Sequence, residues 1–280
     1  MKNPFNHIID AAREGLLADE MEFEEAYKQP AYQVSLQKMR KTVQALHQTL
    51  GLCDFAATRW ADYHEKYLLP RHKDEIGEAA VMAKLAIENG ALNSSRREMR
   101  YMLEVAVNTA FIDETAAPQD LEGRIQFYRG KQVCKNNVDH VRQLPLRMLT
   151  ESQRQAFREA TSAAWVDASN YVHLTKRRID EKVKQRAEGV RLGFETPEML
   201  AGVVHSLHDA CSIVVVLAFE TIGPDLTGDL LVDGRLDTFD DWPFHQNRFV
   251  AALDAHFDYR HERQSGLQEH IARRQRRLAA

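Results

Sequence analysis

Apolar residues recur every three or four positions along most of the chain, and alternation of apolar with polar residues is almost absent. That spacing predicts amphipathic helices rather than strands. Pro4 fits the first turn of a short helix running to about Leu17, and the acidic segment Asp19 to Tyr27 predicts a second. Pro30 begins a longer helix with Val34, Leu36, Met39, Val43, Leu46 and Leu50 as its stripe, ended by Gly51. Asp54 then caps a helix carrying Phe55, Ala56, Trp60, Tyr63 and Tyr67, which Leu69-Pro70 stops or kinks. His72 to Asn89 resumes with Ile76, Ala80, Met82 and Leu85, and Asn89-Gly90 is a helix stop.

Asn93 or Ser94 caps the next helix, with Met99, Met102, Leu103, Val105, Ala106 and Ala110 along it. After a loop at Thr115 to Pro118, Asp120 to Val141 predicts another, with Leu121, Ile125, Tyr128 and Val133 inside. The capping box Thr150 to Gln153 opens a helix running to about Glu188. Thr196-Pro197-Glu198 starts one in which Leu200, Val203, Val204, Leu207, Cys211, Val214, Val215 and Ala218 keep the helical phase. Gly223 to Thr238 holds Gly-Pro, Thr-Gly and Asp-Gly pairs and reads as a loop with a small hairpin at Leu230 to Leu236. A last helix runs from about Trp242, with Phe249, Ala252, Leu253, His256 and Phe257 as its stripe, into a basic tail.

The expected fold is an all-α multi-helix bundle of about eight or nine helices without internal repeat. It divides into an acidic segment 1–29, a core 30–222, and a loop with C-terminal helix 223–280. The 280 residues are 44% hydrophobic, enough for a substantial core. A net charge of -4 gives no global reason to expect nucleic acid or an acidic membrane as partner. The charge is uneven, however: residues 1–30 are acidic and Arg260 to Arg277 is basic, so the two ends suit one another, within one chain or between two copies. Cys53, Cys134 and Cys211 form no CxxC, which argues for a reducing compartment. The N-terminus lacks a signal peptide's apolar core, and the longest apolar run, Ile213 to Phe219, is too short to span a bilayer. A cytoplasmic protein without a membrane partner is the expectation.

Thr161 to Asp180 carries an unusual polar stripe. Ser169, His173 and Arg177 stand four residues apart, so on one helix they stack on one face, with Asp180 beyond and Trp165 a turn before. Two other helices carry one-turn polar pairs, Arg100 with Glu104 and Arg124 with Tyr128. A cleft lined by these groups suits a phosphodiester: Arg holds phosphate bidentately and His exchanges a proton near neutral pH. The same pairs also serve as structural salt bridges and helix-interface hydrogen bonds, which are ordinary at this spacing.

The segments RYMLE at 100–104, RIQFY at 124–128 and SNYVH at 169–173 resemble a pattern in all-helical bacterial proteins of the HEPN superfamily, over about Tyr32 to Phe219. The resemblance implies a HEPN-like core, often dimeric. It also implies, as for many relatives, metal-independent ribonuclease activity in toxin, antiviral defence or RNA-processing systems. No cofactor or metal is then required, and the partners are RNA or a nucleotide, a second copy of the chain, and possible partner proteins. On that reading His173, Arg100, Glu104 and Ser169 are catalytic, and Arg124, Tyr128 and Arg177 bind substrate. A 2′-hydroxyl would attack the adjacent phosphorus while His moves the proton and Arg stabilises the phosphorane. The family's R-x4-6-H spacing has no Arg at the right distance before His173; Arg59 to His64 and Arg263 to His270 match it instead.

His205, His208, Asp209 and Ser212 share a helix side opposite the apolar stripe. The His-Asp dipeptide resembles the HD-type metal phosphohydrolases, with His173, Asp254 and Asp258 as conceivable further ligands; the plainer reading is a hydrogen-bonded pair. No E-x-x-H motif points to a di-iron bundle. The arginines of Gln268 to Arg277 either meet RNA phosphates or form a frayed, solvated helix end. The aromatics of Asp237 to Phe249 are expected to dock their loop onto the bundle. Two functions stand side by side: a HEPN-like effector acting on RNA or a nucleotide, and a non-catalytic helical interaction or dimerisation protein. A metal phosphohydrolase comes third.

Overall fold

The computed structural model describes residues 6–63, 67–116, 120–132, 138–173, 175–187, 196–232, 236 and 242–279. Among them are twelve α-helices and no strand. They are α1 (Asn6–Lys28), α2 (Pro30–Ala57), α3 (Lys73–Glu88), α4 (Leu92–Thr115), α5 (Leu121–Gln132), α6 (Val138–Gln143), α7 (Glu151–Ser169), α8 (Lys176–Ala187), α9 (Pro197–Val232), α10 (Arg248–His256), α11 (His261–Gln264) and α12 (Leu267–Ala279). The all-α expectation holds, but the count exceeds eight or nine, because several long stretches predicted as single helices are broken. The stretch from Thr150 to Glu188 breaks at Asn170 to Thr175, and the one from Trp242 onward breaks at Phe257 to Arg260. Asp120 to Val141 is likewise two helices, with residues 133–137, including Cys134, outside the described residues.

Helix α9 is the centre. From Val203 to Ile222 nearly every side chain is buried, whichever way it points. A helix apolar all round needs neighbours on every side, and α2, α4 and α7 pack against it while α10 closes one end. Its length and apolarity would suffice to cross a membrane, yet 72% of that apolar window lies inside the protein. Helix α3 pairs with α4 to complete the bundle.

Local signals explain most of the boundaries. Pro30 occupies the first turn of α2, Gly90 (φ 68°) terminates α3, and Thr150 N–H donates to Gln153 Oε1 at 2.9 Å at the start of α7. Other signals were overruled by burial. Gly51 does not end α2, because Cys53, Ala56 and Ala57 still have a core to enter. Asp54 therefore lies inside the helix, where its carboxylate takes Tyr63 Oη and Lys73 Nζ instead of capping. Neither Asn93 nor Ser94 caps α4, which begins one residue earlier behind Ala91. The aromatic segment docks as expected: Trp242 Nε1 donates to Thr49 Oγ1 at 3.0 Å and meets Phe244 edge-on.

The predicted loop from Gly223 is the largest departure. Gly223 (φ 84°, ψ 171°) and Pro224 interrupt α9, but the helix resumes to Val232 because Leu226, Leu230 and Leu231 bury. Thr227 Oγ1 spans the break by donating to Phe219 O at 2.8 Å. The hairpin predicted at Leu230 to Leu236 is thus helical at its start, and residues 233–235 lie outside the described residues.

Just before the break, Glu220 is buried and accepts Met148 N–H at 3.1 Å. It holds the turn in which Leu146 adopts φ 46°, a conformation that costs a branched residue energy and needs such an anchor. Burial pushes the Glu220 carboxyl up to about 7, against the Met148 and Arg147 N–H groups that pull it down; Glu114 nearby adds to the rise.

Two outcomes are expected. Gly223→Ala should lower the urea midpoint with an unchanged m-value, by about 1–3 kcal/mol, since its dihedrals are almost confined to glycine. Native Glu220 keeps a proton between its ordinary carboxylate range and about 7, where the unfolded chain has lost it. Its contribution to stability therefore falls as pH rises through that window and levels off above it. Glu220→Gln should flatten this part of the stability–pH curve, as read by denaturant titrations from pH 5 to 8.

Candidate functional site

Helices α4, α7 and α9 enclose a cleft of about 820 Å³. Its floor is apolar because α7 presents Ala160, Ala163, Ala164 and Ala168 there, a helix face too bare to fill the space, beside Met99, Leu103 and Ile213. Its polar groups come from four helices and the stretch that leads into α10. Arg96 stands on α4, Asp167 on α7, His205, Ser206 and Asp209 on α9, Lys38 on α2, and Gln246, Asn247 and Arg248 lead into α10. Leu278 of α12 reaches the same cleft.

In the wall, His205 Nε2 lies 3.3 Å from Asp209 Oδ2, one helical turn on. That is the arrangement in which a carboxylate orients an imidazole. His208 differs. It is buried, stacked on Phe244, with Nε2 3.2 Å from Pro243 O. The carbonyl can only accept, so Nε2 carries the hydrogen, and His208 ties the segment before α10 to α9. Lys38 and Arg248 are exposed and make no ion pair among the described residues, so both charges are available at the cleft.

The residues singled out from sequence are distributed differently. Arg100, Glu104 and Ser169 do meet. Arg100 Nε donates to Ser169 Oγ at 2.9 Å, its Nη1 lies 2.7 Å from Glu104 Oε2, and the guanidinium sits 3.6 Å over the Trp165 ring. Ser169 Oγ in turn donates to Trp165 O at 2.7 Å. This cluster latches α4 to α7, and burial pulls the Arg100 pKa down against Glu104. His173 does not join it. Helix α7 ends at Ser169, the four-residue column is broken, and the His173 ring is exposed in the following turn. Arg177 lies on a separate helix, α8, and pairs with Asp167 at 2.9 Å, which brings it to the cleft rim.

Arg124 is elsewhere. It is buried and pairs with Asp113 Oδ1 at 3.0 Å, while Asp113 also accepts Leu68 and Leu69 N–H. Burial pushes the Asp113 carboxyl up to about 7 against those donors. With Glu114, Glu220 and Tyr67 the pair lines a second cavity of about 210 Å³ that shares no residue with the cleft. Tyr128 is partly buried against the core on α5. The structure thus brings Arg100, Glu104 and Ser169 together and places His173, Arg177, Arg124 and Tyr128 outside that cluster.

The remaining motifs settle as follows. His64 lies outside the described residues, and Arg59 pairs with Asp229. Arg263 is buried between Asp254 and Asp258, and Arg274 binds the same two carboxylates. Arg263 and Arg274 are thus anchored rather than frayed, and Asp254 and Asp258 are occupied by arginines. Among the described residues no group of three or more His, Cys, Asp or Glu is placed to hold a metal. Lys38, Asp167 and Arg248 escaped the sequence reading; the alanines three and four apart on α7 were the one signal that could have marked the cleft.

No family model matches the chain, and neither a curated protein nor a solved structure matches it.

The two arginines should separate in a denaturation series. Arg124→Met strands Asp113 in the core and should cost about 3–5 kcal/mol. Arg100→Ala removes a half-buried stack and two hydrogen bonds and should cost about 1–3 kcal/mol. Equal losses, or the reverse order, would show that Arg100 rather than Arg124 carries the structural weight.

Proposed function

We propose that the cleft binds a phosphate-bearing ligand, a nucleotide or a segment of RNA, and that His205 with Asp209 moves the proton in phosphodiester cleavage. The observation that carries this reading is the pairing of an apolar floor with Lys38, Arg96 and Arg248 and a His–Asp pair in the wall. A nucleobase suits the alanine face, and phosphate suits the cations. The 2′-oxygen bonds to phosphorus as its P–O5′ bond breaks; the cations oppose the charge that builds on the phosphoryl oxygens, and the imidazole takes the 2′-hydroxyl's proton and returns it to the leaving 5′-oxygen. The reading keeps the substrate class implied by the HEPN resemblance, and with it a setting in bacterial defence or toxin systems, but moves the acid–base group from His173 to His205.

A second reading, a helical interaction protein without catalysis, is favoured by one observation: Arg100, Glu104 and Ser169 satisfy one another inside the chain.

Fluorescence anisotropy with labelled single-stranded RNA and with a labelled nucleotide tests the first reading. Lys38→Ala and Arg248→Ala should each weaken binding roughly tenfold. His205→Ala should leave binding within about twofold and lower cleavage by about 10²–10⁴. Absence of binding by the parent at its highest soluble concentration would sink the reading, and binding that persists unchanged in both cation variants would remove it from this cleft.

A further inference from the structure

Of the helices with apolar residues in water, two carry opposite charge. Helix α1 carries a seven-residue spacing, Ile9, Leu16 and Phe23, with Ala12 three residues after Ile9 and Ala26 three after Phe23. The C-terminal end of this stripe is covered: Phe23 and Ala26 pack on the core, and Tyr27 is buried with its hydroxyl donating to Ile87 O. The same stripe then runs on past the body uncovered, with Ile9 60% and Leu16 70% exposed. A helix with this period is built to meet another helix along its length.

Helix α8 buries no residue at all. Its Ile179 and Val183, one turn apart, are 47% and 66% exposed. Within α1 there are seven acidic and two basic residues; within α8 there are six basic and two acidic. Glu20 and Glu22 flank the α1 stripe, and Lys182 flanks the α8 stripe with Lys176 and Arg186 in line with it. Twelve residues of α8 rise about 18 Å, and the uncovered stretch of α1 about 24 Å, so one covers the other.

We infer that two copies of the chain associate by laying α1 of one along α8 of the other. Pairing α1 with α1 would oppose two acidic surfaces, which disfavours it. The C-terminal helix α12 is a poorer complement, since Arg274 already binds Asp254 and Asp258 and Leu278 faces the cleft. A twofold axis makes the contact twice, α1 on α8 and α8 on α1, and so closes a dimer without leaving a free end. Because Arg177 of α8 pairs with Asp167 of the cleft, the second copy borders the cleft rim. The inference stands apart from the identity of the cleft's ligand.

Sedimentation velocity of the full chain, at low and high salt, tests it. The parent should dimerise at low salt and dissociate as salt screens the charges. Leu16→Glu and Val183→Glu should each raise the dimer dissociation constant at least about tenfold. Both sites are exposed, and circular dichroism would verify that the variants stay folded. Charge reversal at Glu20 and Glu22 to Lys, or at Lys182 and Arg186 to Glu, should weaken association. Mixing the two reversed chains should restore association as a heterodimer in which both contacts pair opposite charges, and combining all four changes in one chain should restore the homodimer. A parent that stays monomeric at every salt and concentration overturns the inference. So does a dimer indifferent to Leu16→Glu and Val183→Glu, or a four-fold reversal that fails to recover.

Discussion

Helix α9 is buried on every side between Ala210 and Ile222, and the rest of the fold follows from covering it. Helices α2 and α4 take most of its surface, α3 braces them, and α7 and α10 close what is left. Burial on this scale, at roughly 25 cal/mol per Å² of apolar surface, outweighs local signals worth about 1 kcal/mol each. That is why α2 runs through Gly51 and why α9 resumes after Gly223 and Pro224. In both places the chain has apolar side chains still to bury, and a helix is the way to bury them with the backbone paired.

The same demand places charges where they are costly. Asp113 and Glu220 sit inside because each holds a loop against the bundle, Asp113 the turn at Leu68 and Leu69 and Glu220 the turn at Met148, and Arg124 sits inside as the partner of Asp113. Buried charges of this kind add little net stability but tolerate no missing partner. The polar pairs that looked like catalytic apparatus in the sequence divide along this line. Arg124 is structural in the core, Arg100 is a latch between helices, and Arg177 stands at the edge of a cleft lined by other residues.

The cleft arises from an absence of bulk. Where α7 shows only alanines to its neighbours, α4 and α9 do not close completely, and basic residues from distant parts of the chain reach the gap. Lys38 and Arg248 are more than two hundred positions apart in sequence, so no local pattern could have joined them. The two uncovered helices are the converse case: α1 and α8 carry apolar stripes that the single chain leaves open, with charges that suit each other.

The sequence by itself determined the helical class, the starts of α2, α7 and α9 and the end of α3. Each of these depends on residues within one turn of each other or on a strong period, and such effects act before any tertiary contact forms. Only the tertiary structure decided where long helices break, that Ser169 and His173 part company at the end of α7, and that Arg100 and Arg124 serve separate places. Those outcomes depend on which apolar surface remains to be covered, a quantity set jointly by segments far apart along the chain and invisible in any short stretch of it.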